Sequence, residues 1–124
     1  MKVLLSIHPE HAANILAGTK RFEYRKAIPR DPSVDTVVVY ATMPVGKVVG
    51  EFSVSEILSG TPDSLWRKTR GASGISRRFF MDYFDGRDTA FAIGVDSPQR
   101  YATPQELIDV IETTTPPQSF RYLV

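Results

Sequence analysis

The chain has 124 residues, 42% hydrophobic and 23% charged, with a formal net charge of +1. That length suits one domain over residues 1–124, and the composition excludes a disordered or fibrous chain. With no cysteine, disulfides, thiolate nucleophiles and cysteine metal sites drop out together.

Residues 3–7 (Val-Leu-Leu-Ser-Ile) read as a buried strand, and no apolar run reaches membrane-spanning length. The opening Met1–Ile7 run is too short for a signal peptide, so a cytoplasmic location without membrane contact is expected. A short helix is expected over residues 11–17, with Pro9 near its first turn and Gly18 placed to cap its end. Residues 20–26 are strand-like until Pro29 and Pro32 break the run, and residues 34–40 (Val-Asp-Thr-Val-Val-Val-Tyr) carry the strongest strand signal. After a turn at 43–46, Val48, Phe52 and Val54 alternate with Glu51, Ser53 and Ser55 along a strand over 47–58. Gly50 marks a bend there, and so long a strand bends most readily in a barrel.

The middle of the chain reads as helical. Thr61-Pro62 caps and opens one helix, and Ser76 caps a second that runs through Phe84 and ends near Gly86. Residues 89–95 form a core strand. Thr103-Pro104-Gln105-Glu106 reads as a capping box opening a helix to about Ile111, and a last strand is expected over 119–123. Strands first and last with helices between predict an α+β barrel rather than a doubly wound sheet.

The near-neutral total charge hides an asymmetry. Arg67, Lys68, Arg70, Arg77 and Arg78 fall in a stretch without acids, whereas residues 82–112 are predominantly acidic among their charged positions. A locally basic surface of this kind can attract phosphates. Trp66, Phe79, Phe80, Tyr83 and Phe84 interleave with it, in stripes whose expected role is core packing, leaving Arg77 and Arg78 to project outward.

Several chemistries lack their residues. His8 and His11 have no carboxylate motif to complete a metal site, so neither metal nor cofactor is expected. No phosphate loop and no nucleophile-elbow serine occur. What remains is residues 18–25, Gly-Thr-Lys-Arg-Phe-Glu-Tyr-Arg. Regular pleating puts Arg21, Glu23 and Arg25 on one face and Lys20, Phe22 and Tyr24 on the other. Lys20 can therefore join Glu23 only from the turn after Gly18. Such a pair can act as acid and base, can hold a polar heterocycle, or can be a structural ion pair.

Ser6-Ile7-His8-Pro9, followed by Ala12-x-x-Ile15-Leu16-x-Gly18-Thr19-Lys20-x-x-Glu23-x-Arg25-Lys26, resembles the opening of the ASCH domain, a member of the PUA-like superfamily. Every fixed position of that family's Gly-x-Lys-x-x-Glu-x-Arg pattern is present. Tyr40-Ala41-Thr42-x-Pro44-Val45-Gly46-x-Val48-Val49-Gly50, Gly86-Arg87 and Pro117-Gln118-Ser119-Phe120 extend the resemblance over nearly the whole chain.

The resemblance implies a small mixed β-barrel with short helices packed around it and a cleft walled by the Lys20 segment. It implies a module, of regulatory type, that binds RNA or a modified nucleotide or nucleoside. Ligand contacts are then expected from Lys20, Glu23, Arg25, Tyr24, Tyr40 and Ser6, with Arg67, Lys68, Arg70, Arg77 and Arg78 as the nucleic-acid surface. The alternative is a small hydrolase, an amidohydrolase on N4-acylated cytidine or a ribonuclease, with Lys20 and Glu23 catalytic. In the amidohydrolase branch a threonine falls on Glu23, and its third acid has no secure counterpart here.

Overall fold

In a computed structural model describing residues 1–124, β1 (Lys2–Ile7) runs parallel to β3 (Thr36–Ala41) and antiparallel to β6 (Phe120–Leu123). The sheet continues antiparallel from β3 through β4 (Lys47–Gly60) and β5 (Ala90–Gln105) to β2 (Phe22–Arg25). Four helices accompany it, α1 (Pro9–Ala17), α2 (Pro62–Thr69), α3 (Arg77–Tyr83) and α4 (Leu107–Ile111), so the architecture is α+β. None is long and apolar enough to cross a membrane.

The strand order β2-β5-β4-β3-β1-β6 leaves β2 and β6 as edges, so the ladder is an open sheet and not the closed barrel expected from the sequence. Both edge strands are four residues long. Pro116 and Pro117 precede β6 and have no N–H with which to extend its pairing. The sheet nevertheless curls enough to bring its ends together, as the Arg25 side chain on β2 reaches carbonyls of Ser6 on β1 and Ser119 beside β6.

Local signals fix most helix ends. α1 begins earlier than expected because Pro9 occupies its first turn and the His8 ring accepts a hydrogen bond from the Glu10 N–H at 3.3 Å. Gly18, at φ 84°, ends it. Thr61 and Ser76 cap α2 and α3 through the N–H groups of Ser64 and Phe79, at 3.2 and 3.1 Å.

The capping box at 103–106 is not used. β5 runs on to Gln105 opposite Val48, and α4 begins only at Leu107, with no side-chain cap from Glu106. Gly50 pairs with Arg100 and Val48 with Gln105, so β5 carries extra residues between the two pairs, and Pro104 sits in that bulge. Long-range pairing overrides the local signal, and the Glu106 carboxylate meets Lys47 instead.

β1 alternates as a buried strand must. Val3, Leu5 and Ile7 join Ile15 of α1, Val39 and Phe52 in the largest apolar cluster. Leu4 faces the other way, toward Leu107 and Ile111 of α4. A third cluster puts Tyr24 and Ala92 beneath Leu65 of α2, Phe80 of α3 and Phe84 just after it.

At Gly50 the sheet bends tightly over α1. A Cβ there would lie 2.5 Å from the Gln99 carbonyl oxygen and 2.8 Å from Leu16 Cδ2. Backbone cannot yield cheaply, so Gly50→Ala is expected to cost about 1–3 kcal/mol. Urea unfolding measures this, and an unchanged midpoint would remove the close-approach account.

Candidate functional site

A cleft of about 620 Å³ opens where β2, the start of α1 and α3 converge. Lys20, just ahead of β2, and residues of β2 itself form its floor. Thr19 and Lys20 donate their N–H groups to the Asn14 carbonyl at 3.0 and 3.1 Å, so Lys20 lies in the turn after Gly18 and escapes the strand's alternation. It can thus share a site with Glu23 while also reaching the Tyr24 ring. His8 and His11 form one wall, and Ser76, Phe79 and Tyr83 form the other.

Three charges are packed into this floor. Lys20 is 1% exposed, its Nζ donating to the Ser73 carbonyl at 2.7 Å and standing 4.7 Å from the Tyr24 ring centre. Burial depresses its pKa to about 8, against the opposing pull of Glu23. Glu23 is 6% exposed, and burial pushes its pKa up while the Arg25 and Lys20 charges pull it back. Arg25 donates from Nη1 to Glu23 at 3.2 Å and to the Ser6 carbonyl at 3.1 Å, and from Nη2 to the Ser119 carbonyl at 2.8 Å.

Neighbouring groups hold the floor in place. The Tyr24 hydroxyl donates to Thr69 Oγ1 at 2.7 Å, and Thr69 Oγ1 in turn donates to the Leu65 carbonyl at 2.8 Å. Gly74, at φ 68°, lies directly on the lysine stem, where a Cβ would come within 2.6 Å of Lys20 Cβ.

Of the residues singled out from the sequence, Ser6, Lys20, Glu23, Tyr24 and Arg25 all line the cleft. Tyr40 does not: it is buried with Leu4, Val38 and Leu107 in the cluster beneath α4. Arg67, Lys68, Arg70, Arg77 and Arg78 are all exposed, and none forms an ion pair. Arg77 and Arg78 follow Ser76 at the rim of the cleft, whereas the other three lie along the end of α2 and the turn after it.

His8, His11, Phe79 and Tyr83 also line the site, and sequence reasoning did not assign them there. Their signal was present as two helical spacings, His8 with His11 and Phe79 with Tyr83. No group of three histidine or carboxylate side chains comes together to hold a metal.

Comparison with known proteins adds relatives. The ASCH domain family model matches residues 5–116. The ASCH domain-containing ribonuclease of Zymomonas mobilis is 31% identical over 124 residues, covering 98% of this chain and 84% of that protein. Large ribosomal subunit protein uL22 of Ureaplasma parvum is 32% identical over 122 residues, but only 39% of its length is matched. The crystal structure of ASCH from Zymomonas mobilis superposes with a TM-score of 0.91 at 30% identity, over 99% of this chain and 87% of that one.

The buried lysine has a pH signature. Its folded pKa of about 8 lies below the ordinary 10.5, so between those values the unfolded chain holds a proton that the folded chain has shed. Stability should therefore rise with pH across that window, by up to roughly 3 kcal/mol. Urea unfolding of the native chain and of Lys20→Met checks it: the difference between the two should change steadily across the window. A constant difference would mean that Lys20 titrates as if in water.

Proposed function

The chain belongs to the ASCH domain family, and from that premise we propose that its cleft binds RNA or a modified nucleotide. The observation that carries this reading is electrostatic. Two cations, Lys20 and Arg25, face a single carboxylate, Glu23, on a floor largely withdrawn from water. Beyond the rim stand Arg77 and Arg78, exposed and without carboxylate partners. An anionic ligand gains from both.

The roles divide by how far each group is already committed. Lys20 keeps Nζ donors beyond the one given to Ser73 and is the cation that meets the ligand from the floor. Glu23 accepts from an exocyclic amine. Arg25, with three bonds to the protein, holds the frame. Arg77 and Arg78 supply phosphate contacts, and Arg67, Lys68 and Arg70 extend the basic surface along α2.

A second reading is ribonuclease activity, favoured by the name of the Zymomonas mobilis relative. Here Lys20, with its pKa near 8, supplies a neutral amine as base at mildly alkaline pH, and Glu23 shuttles the proton onward to the leaving group. Amidohydrolysis of an N4-acylated cytidine has less support, since Glu23 occupies the position of that branch's threonine.

One titration separates these readings. A labelled single-stranded oligoribonucleotide should bind at low salt and dissociate as salt rises. Arg77→Ala with Arg78→Ala should lower the log–log salt slope by about one for each phosphate that is no longer neutralised. Gel analysis of the same samples distinguishes intact RNA from cleaved. Absence of binding and of cleavage at low salt overturns the proposal.

A further inference from the structure

The aromatic residues around the cleft are not equivalent. Phe80 and Phe84 are fully buried and pack edge-on against Tyr24. The Tyr24 ring is further occupied by Lys20. Tyr83 packs on Phe84 and carries Lys26 Nζ at 4.7 Å from its ring centre. Of the phenylalanine and tyrosine side chains lining the cleft, Phe79 alone is exposed, at 50%. Its one aromatic neighbour is His11 on the opposite wall, 5.3 Å away at 76°.

His11 has the complementary deficiency. Its Nδ1 is buried and has no hydrogen-bond partner. Natural structures rarely leave such an atom unsatisfied without a ligand, water or functional reason. The His8 ring stands 5.6 Å away and makes no hydrogen bond to it.

We propose that Phe79 and His11 form a nucleobase subsite, Phe79 stacking on an unpaired base and His11 hydrogen-bonding its edge. This rests on the reading of the cleft as an RNA or nucleotide site and specifies which part of the ligand enters this end. Arg77 and Arg78, two and one residues before Phe79 on α3, place positive charge where the flanking phosphates would run. Lys20 and Glu23 remain on the floor for the rest of the nucleotide.

Chemistry selects a base over other ligands. A planar heterocycle offers a π face to Phe79 and donors and acceptors to an imidazole at once. A simple anion would leave the exposed ring unused. Burial and the Lys20 charge keep His11 below its ordinary pKa, so near neutrality it presents one donor and one acceptor. Stacking on a base replaces part of the edge-on contact between Phe79 and His11.

The test compares two ligands of equal length, a 2′-O-methylated oligouridylate, which resists cleavage through the 2′-hydroxyl, and an abasic ribose-phosphate chain. Phe79→Ala should weaken the base-bearing ligand by about tenfold to a hundredfold and leave the abasic one unchanged, as stacking contributes about 1–3 kcal/mol per base. Phe79→Trp should retain the affinity. Titration with uridine, followed by NMR, should shift the His11 ring protons in the native chain and not in Phe79→Ala.

Equal losses on both ligands, or none, with no His11 shift, overturn the subsite while the RNA reading stands. If neither oligomer binds but uridine shifts His11 in a Phe79-dependent way, the RNA reading fails and the subsite stands. If nothing binds and nothing shifts, both fall.

Discussion

The guanidinium of Arg25 joins the two ends of a sheet that its backbone leaves open. It spans from β2 to the Ser6 carbonyl on β1 and the Ser119 carbonyl beside β6, and it neutralises Glu23 on the way. Hydrogen bonds from a charged donor are about twice as strong as neutral ones. Arg25 therefore contributes what a closing ladder would have supplied, without needing donors from Pro116 or Pro117. It also permits Glu23 to be buried. Removing one partner from a buried ion pair leaves a desolvated charge and is strongly destabilising. The shape of the cleft and the stability of the sheet thus depend on one side chain.

Lys20 has a similar double role. Its Nζ anchors the loop at Ser73, and its stem is the surface on which Gly74 rests. Folding withdraws Lys20 and Glu23 from water, at a cost that shows in the lysine's depressed pKa and the raised pKa of the glutamate. Burial causes both shifts, and the pull of Glu23 on the lysine, and of Arg25 and Lys20 on the glutamate, offsets them only in part. Two cations against one carboxylate leave the floor with an excess of positive charge, which an anionic occupant would offset. Alanine at Lys20 or Arg25 would disturb frame and site together.

What could be read from the sequence was what is local. Gly18, Thr61-Pro62 and Ser76 fix their helix ends through neighbours a few residues away, and the apolar runs of β1 and β3 have the right length for strands. The length of β5 was not legible, because bulges opposite β4 decide it and cancel a good capping signal at Thr103. The open sheet was hidden for the same reason, since closure by Arg25 involves carbonyls far away in sequence. Within the site, residues 18–25 were legible as a concentration of charge. Arg25 read as a ligand contact and is committed to protein carbonyls; Tyr40 sits at a strand end with nothing to mark it as buried under α4. His11 and Phe79 belong to α1 and α3, and only the fold brings them together.

That division bears on where selectivity resides. The fixed positions of the family pattern, Gly18, Lys20, Glu23 and Arg25, are used to end a helix, hold a loop, compensate a charge and close a sheet. Gly18 and Arg25 are committed inside the protein, while Lys20 and Glu23 keep bonding capacity toward an occupant of the cavity. Discrimination needs groups whose valences are still open. Beyond Lys20 and Glu23, those in this chain are the His11 nitrogen, the exposed face of Phe79, and the unpaired guanidinium groups of Arg77 and Arg78. They flank the motif in space while lying outside it in sequence.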